Sequence, residues 1–387
     1  MHHLSPTDFA NLVQLRQQLH QYPELSGSET ETARRIVTHL QNYSPDKIYT
    51  GLGGTGVAAV FQGEDPEGPT IVFRAELDAL PIAETNQDLS YSSVHEGTGH
   101  KCGHDGHMAI LTALGSMLHH KKPARGKVVL LYQPAEETGA GAWAVLQDER
   151  FTEEIKPDYV FGLHNLPGYP MHEVVVRHDV FASASTGMIV ELEGKSSHAA
   201  EPENGVNPGE AMAEIVLGFN RIIQQKTQFE SLTLLTIIHA RLGEVAFGTN
   251  PGFATVMATL RAYQPHDLQK LKELTHKCVE EIAASYSLKY NIRFTEEFPA
   301  TINHPTEVEA IQRTAVNLQL QQQVAVQPFR WSEDFGHFTA RYNGAFFCLG
   351  AGINQAQLHH SDYDFPDELI PTGAALFYGI IHEILNQ

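Results

Sequence analysis

The chain has 387 residues, 42% of them apolar and 19% charged, with a formal net charge of −20 when the histidines are neutral. That length is too great for one ordinary core and suits two domains, and the acidic balance argues against nucleic acid or an anionic membrane as partner, since both need clustered Lys and Arg. No apolar run spans a bilayer, the N-terminal stretch lacks the charged and apolar regions of a secretion signal, and the three cysteines (Cys102, Cys278 and Cys348) are too scattered for a disulfide framework, so a cytoplasmic protein is expected.

Residues 8–21 carry an amphipathic helical pattern. A second helix is expected in "SETETARRIVTHLQNY" (28–43), with Ser28 as N-cap and Glu31 in the capping-box position. Short apolar runs then read as buried strands: "TGVAAVF" (55–61), "TIVFRAEL" (70–77), "KVVLLYQ" (127–133), "DYVFGLHN" (158–165) and "GAFFCLG" (344–350). Helical patterns alternate with them. Residues 105–118 place Ile110, Leu111, Leu114, Met117 and Leu118 on one stripe, and the stretch after "IPTG" does the same with Leu376, Phe377, Ile380, Ile381 and Ile384. This alternation predicts an α/β domain with a mixed, largely parallel sheet flanked by helices.

Between about 184 and 296 the texture changes. Strand "TGMIVELEG", helix "NPGEAMAEIVLGFNRIIQQ", strands "SLTLLTIIHARL" and "GFATVMATLRAY", helix "HDLQKLKELTHKCVEEIAASY" and strand "KYNIRF" follow in order. That β-α-β-β-α-β order predicts a ferredoxin-like α+β domain, 184–296, inserted into a larger domain made of 1–183 and 297–387. An exposed edge strand on the inserted sheet would offer a place for two subunits to pair.

The segment "HKCGHDGHMA" (100–109) crowds three histidines, a cysteine and an aspartate into ten positions. Cys102 and His104 are too close in sequence to share a helix face, but they can converge from a loop ahead of the helix at 105. Thiolate with imidazole suits zinc and other transition metals better than magnesium or calcium. His107 falls on the stripe of Leu111 and Leu114, so a packed, hydrogen-bonded histidine is expected there. More donors come from adjacent Glu136 and Glu137 after "VVLLYQPA", from His164 at the end of "YVFGLH", and from His359 or His360 in "LHHSD". In open α/β sheets, sites lie beyond the carboxyl ends of the strands, so these donors should meet. Neighbouring glutamates are expected to point apart, one toward a metal and the other toward the proton of an attacking water.

Eight ordered motifs carry a resemblance across nearly the whole chain: "LHQYPELSGSETETA", "RAELDALPIAE", "HKCGHDGHMA", "QPAEETGAGA", "GLHNLP", "GKSSHAAEPENGVNP", "SEDFGHF" and "LHHSDYDFPDELIPTGAALF". Their order and wording resemble the aminoacylase/hippurate hydrolase/indole-acetyl-amino-acid hydrolase family, metal-dependent amidohydrolases related to dizinc carboxypeptidases. The resemblance implies a dizinc-exopeptidase-like fold with the inserted domain as lid and dimerisation element. It also implies two divalent ions per subunit, zinc or manganese, with cobalt and nickel as further candidates. By the same resemblance Cys102, His104, Glu137, His164 and His359 are metal ligands and Glu136 is the general base. Asp78 is a carboxylate behind a ligating histidine, His198 an oxyanion stabiliser, and Arg261 the partner of a substrate carboxylate.

Two positions depart from the family pattern. Gly248 stands where relatives often carry asparagine, with Asn250 nearby, and Glu76 replaces the more usual aspartate of "RAELDALP". The activity so implied is hydrolysis of N-acyl-L-amino acids to a carboxylic acid and a free amino acid, by a homo-oligomer (dimer or tetramer). The alternatives are a dipeptidase or carboxypeptidase with the same site, and a catalytically silent binding protein of the same fold. His119, His120 and His239 are read as surface or packing residues.

Overall fold

The computed structural model describes residues 4–86 and 88–385; the first three residues of the N-terminal stretch read above lie outside it. The chain forms two compact units. One comprises Met1–Phe181, Thr301–Pro328 and Asp334–Gln387, and the other Ala182–Ala300 with Phe329–Glu333. The short segment 329–333 belongs with the second unit because Ser183 binds it. The Ser183 N–H donates to the Phe329 carbonyl at 3.1 Å and its hydroxyl to the Arg330 carbonyl at 2.6 Å. No described helix is long and apolar enough to cross a membrane.

The first unit is built on an eight-stranded sheet in the order Lys47–Leu52, Gly56–Gln62, Arg125–Gln133, Asp65–Glu76, Tyr159–Leu166, Asn343–Gly350, Val174–Val176 and Gln322–Val324. The four central strands from Arg125–Gln133 to Asn343–Gly350 run parallel; the pairings that flank them directly are antiparallel, and the last pair, Val174–Val176 with Gln322–Val324, is parallel. Strands buried on both faces need apolar residues at every position rather than every second one. That is the pattern of Asn343–Gly350, buried at all positions but the first.

Helix His104–His120 lies in the core. The sequence marks one apolar stripe on it, but every residue from His104 to Leu118 is buried. Its small residues, Gly106, Ala109, Ala113 and Gly115, let neighbours close on the remaining faces. Leu12, Leu15 and Leu19 of helix Pro6–Gln21 and Ile380, Ile381 and Ile384 of helix Leu369–Leu385 share its core.

The N-terminus of the second helix differs from the expected cap. The helix spans Thr30–Gln41 with Glu29, not Ser28, at the N-cap, so Glu31 is not in a capping box. Glu24 supplies an acceptor instead, taking the Thr32 N–H at 2.7 Å and its hydroxyl at 2.8 Å.

The second unit is a four-stranded antiparallel sheet, ordered Thr233–Leu242, Phe253–Ala262, Ala184–Glu193 and Lys289–Phe298. With helices Gly209–Gln224 and Pro265–Ser285 in chain order, this is the ferredoxin-like arrangement. Burial alternates along Phe253–Ala262, one face packing on the helices through Val256 and Leu260 against Ile215, Phe219, Leu271 and Val279.

Candidate metal centre

The candidate donors sit beyond the carboxyl ends of three adjacent parallel strands. Glu76 ends one strand and pairs in register with Gln133, the last residue of its neighbour, three positions before Glu136. His164 lies near the end of the third, Tyr159–Leu166. Cys102 and His104 arrive from the loop that opens the buried helix, bent by Gly103 at φ 95°. A Cβ on Gly103 would lie 2.3 Å from Asn165 Oδ1, so only glycine fits between the two donors.

These residues converge, together with His359. One donor atom each from Cys102, His104 and His164 lie within 4.8 Å of one another, as do those of Cys102, Glu137 and His359, and those of His104, Glu136 and Glu137. The three groups share Cys102, His104 and Glu137, so six side chains form one constellation. Cys102 Sγ is 3.4 Å from His164 Nε2, and Glu137 Oε1 is 3.8 Å from His359 Nε2 and 3.9 Å from His104 Nε2. Two ligands about 2.0–2.3 Å from one tetrahedral ion stand roughly 3.3–3.8 Å apart. The spacing therefore fits shared ions better than direct hydrogen bonds.

The histidine tautomers agree. His104 Nδ1 donates to the main-chain carbonyl of Asp78 and His164 Nδ1 to that of Asn165, both at 2.8 Å. A carbonyl can only accept, so each Nδ1 carries a proton, and in the neutral ring each Nε2 offers a lone pair. His104 Nε2 is buried without a hydrogen-bond partner among the described residues, an unusual state for such an atom unless an ion takes it.

The electrostatics point the same way. Burial would lower the pKa of His104, but Asp78, Glu76 and Glu137 lift it to about 10. The site thus carries an excess of negative charge, answered by a proton where a cation would serve. His164 is held well below the ordinary imidazole value by burial and by neighbouring His107, which keeps it neutral. Burial would raise Asp78, but His104, Ser26 and the Glu137 N–H hold its carboxyl below the usual range. The Asp78 carboxylate does not itself meet the His104 proton. Oδ1 is 3.6 Å from Nδ1, while Oδ2 takes the Ser26 hydroxyl at 2.7 Å and the Glu137 N–H at 3.0 Å.

Glu136 and Glu137 do not point apart as the sequence suggested. Glu136 Oε2 lies 4.0 Å and Glu137 Oε1 3.9 Å from His104 Nε2. The cause is local. Ala135 is left-handed at φ 49° and the Gly139 N–H closes a turn on the Glu136 carbonyl at 2.8 Å, so successive side chains fan to one side.

His107 is buried and engaged at both nitrogens, Nδ1 with Glu76 Oε2 at 2.7 Å and Nε2 with Asn165 Oδ1 at 2.5 Å. Glu76 in turn pairs with buried Arg74, which also binds Asp334 at 2.7 Å. His107 is thus the packed, hydrogen-bonded histidine expected from the sequence, but sequence reasoning missed its partners, Asn165 among them, and with them Glu29 and Lys101. The available signal was their position, since Lys101 and Asn165 stand beside donors in "HKCGH" and "LHNLP".

Within the second unit, His198 is exposed on the short strand Ser197–His198, paired with Thr249–Asn250. Its Nδ1 accepts the Ala200 N–H at 3.0 Å, which leaves the ring proton on Nε2. Asn250 is buried, donating to Ser197 Oγ at 3.0 Å and accepting from Asn207 at 2.7 Å, so its amide braces this loop, while Gly248 is open to solvent. Arg261 Nη1 donates to the Arg330 carbonyl and to Ser332 Oγ, each at 2.6 Å.

Comparison with known proteins follows the same line. The sequence profile of peptidase family M20/M25/M40 matches residues 72–383. An N-acetyl-L-cysteine deacetylase of Bacillus subtilis (strain 168) is 31% identical over 97% of this chain and 88% of its own length. An N-acetylcysteine deacetylase from the same organism is 28% identical over 95% and 94%. The solved Bacillus subtilis YXEP protein, described as a dinuclear metal binding peptidase, is 26% identical with a TM-score of 0.83, covering 99% of this chain and 100% of that one.

Proposed function

The chain belongs to peptidase family M20/M25/M40, and we propose that within it this protein hydrolyses the amide bond of N-acyl-L-amino acids at a site for two divalent metal ions. The observation that carries this reading is the meeting of Cys102, His104, Glu136, Glu137, His164 and His359, with Nε2 of both buried histidines presented as a lone pair. The two deacetylase relatives support the substrate class. Cys102, His104, Glu137, His164 and His359 would hold the ions, zinc or manganese. Bound there, such ions lower the pKa of a water and polarise the scissile carbonyl.

The chain's own residues supply the rest. Glu136 accepts the proton of the attacking water on its carboxylate and passes it to the departing amine nitrogen. Asp78 orients the site through its carbonyl on His104 and its carboxylate on the Glu137 N–H. His198, with its proton on Nε2, is a donor for the oxyanion. Arg261 has Nη1 committed to Arg330 and Ser332, which leaves the Nε–Nη2 edge for a bidentate substrate carboxylate. Pairing of two subunits is assigned to the edge strand Thr233–Leu242, where Ile238 is 62% exposed. Three cysteines scattered along the chain, with no disulfide framework in their spacing, suit a reducing cytoplasm.

The test is turnover by protein reconstituted with zinc or manganese, on a panel of N-acetyl and N-benzoyl amino acids that includes N-acetylcysteine, with dipeptides as comparison. Release of amino acid fastest from the N-acyl substrates is expected. Cleavage confined to dipeptides, or none by metal-loaded protein, overturns the assignment.

A further inference from the structure

Lys101 stands between His100 and Cys102, yet its side chain is fully buried, a place lysine occupies only when its charge is paired. Its stem lies against Gly99, where a Cβ would come within 3.1 Å of Lys101 Cε. Nζ donates to the Glu84 carboxylate and, at 2.9 Å, to the main-chain carbonyl of Tyr363. The main-chain carbonyl of Lys101 accepts the N–H of His359 at 2.7 Å. One residue therefore grips the segment 359–363 at both ends while sitting next to Cys102 in the chain.

Both partners are anchored. Glu84 also meets His20 Nε2 at 2.9 Å and takes the Ser93 N–H at 2.6 Å. The Tyr363 hydroxyl accepts from Asn165 Nδ2 at 2.6 Å, and Asn165 follows His164. By contrast, His359 itself is exposed and left-handed at φ 64°, a backbone state that does not persist unless something holds it.

We propose that Lys101 is a positioning residue, a buried ammonium clip that orders the His359 segment against Cys102 and His104 before any metal binds. It rests on the assignment of those residues as metal ligands, and the ammonium touches none of them. A clip of this kind acts on ligand placement, as other supports behind metal ligands do, with effects of about 10- to 100-fold on metal affinity.

The experiment compares Lys101→Met with the parent protein in two ways. Hydrogen–deuterium exchange on metal-free protein reads the order of residues 357–363 directly, and competition with a chelator reads zinc affinity. Glu84 keeps its contacts with His20 and Ser93 in the variant. Expected are exchange at 357–363 faster by about tenfold with helix His104–His120 still protected, and zinc affinity lower by about 10- to 100-fold. A folded Lys101→Met with parental exchange at 357–363 and parental zinc affinity overturns the proposal, and so does exchange that quickens evenly across the chain. If the parent binds no zinc, the ligand assignment fails, while exchange at 357–363 still decides the clip. Should Lys101→Met not fold, Glu84→Gln removes the counter-charge but keeps the lysine, and must still quicken exchange at 357–363 by roughly threefold. Unchanged exchange there overturns it.

Discussion

The buried carboxylate of Glu29 accepts the main-chain N–H of Ala135 at 2.8 Å, directly ahead of the paired glutamates. Ala135 sits at φ 49°, a left-handed state that costs a residue with a Cβ on the order of 1 kcal/mol. The same carboxylate takes the Gly27 N–H at 2.9 Å and the Thr55 hydroxyl at 2.7 Å. A single side chain from the start of a helix thus holds the turn that aims Glu136 and Glu137.

Replacing Glu29 by Ala removes the shared acceptor for two main-chain donors and a hydroxyl. Destabilisation on the order of 3 kcal/mol is expected, read as a lower urea midpoint at unchanged slope. A loss under about 1 kcal/mol would mean that water replaces the carboxylate and that the turn holds itself.

His20 gives the fold a dependence on alkali. Burial would push its pKa down, but hydrogen bonds to Asp105 and Glu84 lift it to about 9 from 6.5. The folded value lies above the unfolded one, so the stabilisation is complete below pH 6.5, fades as pH rises and is gone above about 9. Its size is on the order of 3 kcal/mol. Urea unfolding of metal-free protein at about pH 6 and about pH 9.5 should show a loss of this kind in the parent and not in His20→Gln. Equal losses in both proteins would assign the pH dependence to other groups.

Cys102→Ala should lower bound metal and activity together, because the thiolate is the softest donor of the set and no second cysteine lies in the constellation. Acid should release the metal from the parent, since thiolate and imidazole ligands bind only when deprotonated. Full metal content with normal rates in the variant would remove Cys102 from the site.

Arg261→Ala should raise KM for N-acyl amino acids by on the order of tenfold or more, in line with loss of a charged hydrogen-bonded pair. Amides of the same substrates, which lack the carboxylate, should lose little. Equal losses for both would make Arg261 a brace for the segment Phe329–Glu333, which it already touches through Arg330 and Ser332.

The central strands were legible in the sequence because parallel strands covered on both faces are near-continuous apolar runs, as in "KVVLLYQ" and "GAFFCLG". The peripheral strand Lys47–Leu52 was not, because it is largely exposed and carries no such run. Ser28 looked like a cap, yet tertiary hydrogen bonds drew Glu29 into that position and Glu24 onto the first turn. The donors of the site were visible as residue types at strand ends. Their relative aim was not, since the convergence of Glu136 and Glu137 depends on one positive φ at Ala135. Lys101 stayed hidden because a lysine is ordinarily exposed, and only the fold brings Glu84 and the Tyr363 carbonyl to its ammonium.

The division of labour between the adjacent glutamates is tested most directly by metal content measured beside kcat in Glu136→Gln and Glu137→Gln. Glu136→Gln keeps size and shape but cannot accept a proton, so the metals should stay while kcat falls by on the order of 100-fold or more. Glu137→Gln exchanges an anionic ligand for a weak neutral one, and occupancy should fall. Loss of metal from Glu136→Gln, or near-normal turnover in it, would contradict the assignment of Glu136 as the base.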